Sequence, residues 1–70
     1  MRIEVEEGNY IAGYVDIPGM GESQVIGIYI DNGSLKVGSS MCLPVKHEKA
    51  KLVLECMNAT FAKAEELLVA

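Results

Sequence analysis

The sequence predicts an α+β fold: a four-stranded antiparallel sheet of two hairpins, with one long C-terminal helix packed on one face. Three observations carry this. Residues 1–45 read as strands whose side chains point alternately to two faces, with isoleucines recurring at every second position on one of them. Turn signals at Glu7-Gly8-Asn9, Pro18-Gly19 and Asn32-Gly33 cut that alternation into strand-length pieces. From Val45 to Val69 the period changes to that of a helix rich in Ala, Leu, Lys and Glu. Seventy residues predict a single domain over 1–70 with one modest core, since a chain this short buries only about 60% of its unfolded surface.

Arg2-Ile3-Glu4-Val5-Glu6 opens the sheet, with Ile3 and Val5 inward and Arg2, Glu4 and Glu6 outward. Gly8 and Asn9 both tolerate positive φ and mark the first turn. A three-residue loop pairs Val5 with Ile11 and Ile3 with Gly13, which gathers the β-branched residues on one face; a two-residue loop would not. In the second strand Ile11, Val15 and Ile17 share the core face with Gly13, and Tyr10, Ala12, Tyr14 and Asp16 share the other. Pro18-Gly19 suits the centre of a type II turn, and the glycines around Met20 predict an exposed loop. In the third strand Ile26, Ile28 and Ile30 point inward; Val25, Gly27 and Tyr29 point outward. Asn32-Gly33 predicts a type I′ turn that pairs Ile30 with Leu35, Ile28 with Val37 and Tyr29 with Lys36. Continued, this register sets Gly27 opposite Gly38, a stretch of bare backbone that forms either a bulge or a landing place for a partner.

Pro44 fits the first turn of the helix. Ala50, Val53, Leu54, Met57, Phe61, Ala64 and Leu68 recur at helical spacing and predict the buried stripe, flanked by Cys56, Thr60 and Leu67. Lys51 and Glu55 stand one turn apart on the opposite side. A helix of this length runs to roughly 35 Å, against about 23 Å for a seven-residue strand. An overhang at the Glu65-Glu66 end follows.

Candidate chemistry is sparse. Cys42, His47 and Cys56 are three potential metal ligands without a fourth, so no metal and no cofactor is expected, and the cysteines read as free thiols. Cys42 has no evident base, no serine sits in a nucleophile elbow, and Glu6-Glu7 and Glu65-Glu66 diverge as neighbours must. Gly19-Met20-Gly21-Glu22-Ser23 lacks the lysine of a phosphate loop and precedes a strand. An enzyme is therefore not expected. No signal peptide or apolar span is seen, which predicts a cytoplasmic protein without a membrane partner.

The net charge of −4 is uneven. Residues 1–31 carry Arg2 against Glu4, Glu6, Glu7, Asp16, Glu22 and Asp31; residues 32–70 carry five lysines against four glutamates. An acidic first half argues against direct nucleic-acid binding, which needs clustered Lys and Arg, and favours a basic protein surface. Tyr10, Tyr14 and Tyr29, all the tyrosines in the chain, fall on the outward face among Glu4, Glu6 and Asp16. Tyrosine offers a large rigid contact area with one hydroxyl. These six residues are the predicted protein-binding site.

Glu7-Gly8-Asn9-Tyr10-Ile11-Ala12-Gly13-Tyr14-Val15-Asp16-Ile17-Pro18-Gly19 resembles the opening hairpin of the HicB-like antitoxin family, a Gly-Tyr-x-Ala strand ending in an Asp-Leu-Pro-Gly turn. That family then runs quickly into a helix, whereas here the Asn32-Gly33 hairpin intervenes. In size, acidity and α+β architecture the chain is also similar to small phage-encoded inhibitors of the anti-CRISPR kind. Both resemblances imply a non-enzymatic protein that binds and blocks another protein in a bacterial host cell. The expected mechanism is steric occlusion of a basic, nucleic-acid-binding site on a defence or toxin protein. The alternatives are a homodimeric, antitoxin-like module in which the tyrosines meet a second copy, and a sponge for a small ligand.

Overall fold

The three tight turns, each with residues in the left-handed region, set the strand order. The computed structural model describes residues 1–40 and 47–69, with side chains at 1–40 and 49–69. The readings that concern Cys42, Pro44 and the His47 side chain lie outside the described residues. Strands β1 (Arg2–Glu6), β2 (Tyr10–Ile17), β3 (Gly21–Asp31) and β4 (Ser34–Ser40) form an antiparallel sheet in the order β1-β2-β3-β4. Helix α1 (His47–Leu68) packs against it, giving the expected α+β architecture.

The first turn has the predicted three-residue loop, and Val5 pairs with Ile11 and Ile3 with Gly13. Asn9 N–H donates to the Glu6 carbonyl at 3.3 Å. Positive φ falls on Glu7 (54°) and Gly8 (76°), not on Asn9. The second turn is closed by Met20 N–H donating to the Ile17 carbonyl at 2.9 Å, with Gly19 at φ 85° after Pro18. Pairing runs further into this connection than expected, through Asp16 with Glu22 and Ile17 with Gly21. Asn32 (φ 50°) and Gly33 (φ 77°) form the third turn, as a type I′ turn requires.

Two β-bulges alter the predicted faces. Gly13 pairs with Ile26 but Tyr14 pairs with Gln24, so Val25 is the additional residue. Strict alternation sends Val25 outward with Gly27 and Tyr29. The bulge instead turns it into the core, where it is fully buried. Beyond it the parity of β3 is reversed, and Gln24 and Glu22 stand opposite Tyr14 and Asp16 on the outward face. In β4, Gly27 pairs with Ser39 and Ile28 with Val37, so Gly38 is the additional residue. The expected Gly27–Gly38 pairing is therefore replaced by a bulge. Val37 keeps its register but is 53% exposed, at the open edge of the sheet.

The core joins Ile11, Val15, Ile17, Val25, Ile26 and Ile28 of the sheet to Val53, Cys56 and Ala64 of α1. The buried stripe is turned from the predicted one. Cys56, Thr60 and Ala64 are fully buried, while Leu54 is 57% exposed and Ala50 is exposed. The reason is distance. A Cβ added to Gly13 would lie 2.2 Å from Thr60 Oγ1 and 3.0 Å from Cys56 Sγ. The helix backbone comes so near β2 that only small side chains fit between them. Both polar groups there are satisfied: Thr60 Oγ1 donates to the Cys56 carbonyl at 2.7 Å, and Cys56 Sγ donates to the Tyr14 carbonyl at 3.6 Å. Cys56 is a free, buried thiol. The expected helix overhang assumed seven-residue strands. The 11 residues of β3 span about 36 Å, comparable to roughly 33 Å for the 22 residues of α1. Among the described residues Lys51 and Glu55 form no ion pair, whereas Lys63 and Glu66 do at 3.4 Å.

Gly13→Ala is expected to lower unfolding free energy in denaturant titrations by about 2 kcal/mol through overpacking. The double variant Gly13→Ala/Thr60→Ala should lose less than the sum of the single changes, because the nearest obstructing atom is gone. Glu7→Asn should raise stability by about 0.5–1 kcal/mol, since asparagine occupies the left-handed region with less strain than glutamate. An unchanged or lower urea midpoint would contradict this.

Candidate protein-binding face

One face of a four-stranded sheet is enough for a single helix to cover, and the other face is left to solvent. Here Glu4, Glu6, Tyr10, Ala12, Tyr14, Asp16, Glu22, Gln24, Gly27, Tyr29 and Lys36 share that outward face by register. All six predicted binding residues, Tyr10, Tyr14, Tyr29, Glu4, Glu6 and Asp16, are on it. They divide into two groups with different surroundings.

The first group is centred on Arg2. Its guanidinium lies 4.1 Å from the centroid of the Tyr14 ring, a stacked cation–π arrangement. Arg2 Nε and Nη2 donate to the two carboxylate oxygens of Glu22 at 3.1 and 2.8 Å, and Nη1 donates to Glu4. Hydrogen bonding to Arg2 holds the Glu22 carboxyl below its ordinary range, and hydrogen bonding to Glu22 and Glu4 raises the guanidinium pKa further. This cluster spans β1, β2 and β3, and it neutralises part of the acidity at its end of the face. Asp16 lies beside it, opposite Glu22 across the strands.

The second group is a pair of rings. Tyr10 and Tyr29 face each other across β2 and β3, with centroids 4.6 Å apart and planes tilted by 49°. Each ring rests on a glycine. A Cβ at Gly27 would lie 2.1 Å from the Tyr10 hydroxyl oxygen, and one at Gly38 would lie 2.3 Å from Tyr29 Cε2. The bare backbone is thus covered by the chain's own tyrosines. Tyr10 is fixed further by Gln24, whose Nε2 donates to the hydroxyl at 2.7 Å. Ala12 and Gly27 are buried on this face. Tyr29 remains 47% exposed. An open groove beside the pair is lined by Glu6, Glu7, Asn9, Tyr10 and Tyr29. A smaller one, which shares Asn9 and Tyr29 with it, includes Asp31 and Lys36, which pair at 2.7 Å.

Sequence reasoning placed Arg2 outward but missed its contacts with Tyr14 and Glu22, and it missed Glu22, Gln24 and Glu7 as members of the face. Glu22 and Gln24 were hidden by the Val25 bulge, which strand alternation does not register. Glu7 belongs to a turn, and its carboxylate counts only once the groove is seen. Among the described residues no group of three or more His, Cys, Asp or Glu side chains is placed to hold a metal ion, and no helix is long and apolar enough to cross a membrane. Comparison of the chain with protein-family models, with curated proteins and with solved structures found no match to any of them.

Because Glu22 has a lowered pKa in the folded state, its contribution is present above the unfolded carboxyl value of 4.5 and is lost as pH falls through the folded value. Arg2→Gln should therefore flatten the acid limb of the stability curve below that pH. The wild-type limb should itself flatten at high salt, as expected for exposed charges.

Proposed function

We propose that this chain is a protein-binding inhibitor with no reaction of its own. Its acidic tyrosine face docks on a basic, nucleic-acid-binding surface of a bacterial defence or toxin protein and blocks that surface by occlusion. The observation that carries this reading is the Tyr10–Tyr29 pair, seated on Gly27 and Gly38 and bordered by Glu6 and Glu7. Rigid aromatic area loses little entropy on binding, and the surrounding acids supply steering and selectivity toward a basic partner. The resemblances in size and acidity to phage-encoded inhibitors, and of residues 7–19 to an antitoxin hairpin, support the same class.

Self-association through this face is the competing reading. It would bring Glu4, Glu6, Asp16 and Glu22 of two copies together, against Arg2 and Lys36 among the described residues, and like charges oppose such a contact. Light scattering at micromolar concentration separates the two. A dimer that Tyr29→Glu converts to a monomer would replace the inhibitor reading with a homodimeric module.

The direct test is affinity capture from bacterial lysate with wild-type protein, Tyr14→Ala and Tyr29→Ala, followed by nucleic-acid binding assays on the captured protein. Both variants should keep the wild-type circular dichroism spectrum. Tyr29→Ala should lose the partner, and wild type should displace nucleic acid from it. Identical captured proteins from all three baits would sink the proposal.

A further inference from the structure

At one end of the outward face the molecule already binds a guanidinium: Arg2 stacks on Tyr14 between Glu22 and Glu4. At the other end the same types of group recur, two glutamates beside tyrosine rings. Glu6 and Glu7 border the groove next to Tyr10 and Tyr29, and among the described residues neither glutamate has a cation partner. We propose that this groove receives the guanidinium of an arginine from the partner protein, stacked against the exposed Tyr29 ring and held by Glu6 and Glu7. The inference deepens the docking reading above and rests on it.

Two features favour a guanidinium over an ammonium, and a third favours the binding of either. The Tyr29 ring is half-exposed and lines the groove, and a guanidinium stacks on an aromatic ring where a strongly hydrated ammonium does not. Neighbours on a regular strand diverge, but Glu7 lies in the turn at φ 54° and both Glu6 and Glu7 line the groove; a pair of carboxylates there suits the forked donors of arginine. The ring positions are also fixed before binding. Gly27 and Gly38 leave space only for the rings that cover them, and Gln24 holds the Tyr10 hydroxyl. No rearrangement is then needed to admit the cation. Charge complementarity supplies the choice of occupant, since the groove lies in the acidic half of the chain.

The test is an NMR titration of the full chain at low ionic strength with end-capped hexa-arginine and hexalysine peptides, following tyrosine ring signals. Hexa-arginine should bind at least about tenfold more tightly than hexalysine, because stacking and forked bonding add to a shared net charge. The Tyr10 and Tyr29 rings should shift, while Tyr14, already occupied by Arg2, should not. Glu7→Asn should weaken binding several-fold. That variant is expected to be more stable than wild type, so its loss cannot be a folding defect. Gly38→Ala keeps every charge but displaces the Tyr29 ring, and should reduce hexa-arginine binding to the hexalysine level. Equal affinity for the two peptides, shifts centred on Tyr14, or undiminished binding by Glu7→Asn would each overturn the inference. If these results appear while lysate capture still depends on Tyr29, the docking reading survives and only the arginine site falls. If capture is also independent of the tyrosines, both fall.

Discussion

The approach of α1 to β2 at Gly13 governs how everything else is arranged. Where a helix packs on a sheet, bulky side chains usually hold the two layers apart. Here the sheet offers a position with no side chain, and the helix answers with Thr60 and Cys56. The axis of the helix is drawn down onto the middle strands. That choice of contact fixes which residues of α1 are buried, and why Leu54 is left outside. Ile11, Val15, Val25 and Ile28 complete the same core.

With one face of the sheet devoted to that core, the second face is built by different means. Its solidity comes from rings lying on glycines and from one arginine tied to two strands' carboxylates. The two bulges belong to this construction. The Val25 bulge sends an extra valine to the core and brings Glu22 and Gln24 out to meet Arg2 and Tyr10. The Gly38 bulge provides the seat for Tyr29. The same backbone irregularities thus serve stability on one side and the shape of the groove on the other.

The architecture could be read in the sequence where local chemistry leaves few choices. Asn32-Gly33 and Pro18-Gly19 specify their turns because few other residues occupy those backbone regions. The register of β1 on β2 followed from keeping Ile3, Val5 and Ile11 on one face. The outward placement of the three tyrosines was equally plain from alternation. The bulges were not, because a period of two carries no mark for an added residue. The exact buried stripe of α1 was missed because hydrophobic bulk was weighed above size. Cys56, Thr60 and Ala64, one turn apart in sequence, were the signal for a close approach to Gly13. Likewise the tyrosines could be placed on a face, but what lies beneath each ring depends on Gly27 and Gly38, whose positions need the tertiary register.

The buried thiol of Cys56 has a consequence for how the molecule's motions can be observed. It is fully enclosed, its sulfur is engaged with the Tyr14 carbonyl, and burial pushes its pKa upward. A thiol reagent needs an accessible thiolate, and Cys56 offers one only when the helix leaves the sheet. Its rate of alkylation therefore measures how often α1 detaches, a clock for the opening of the core.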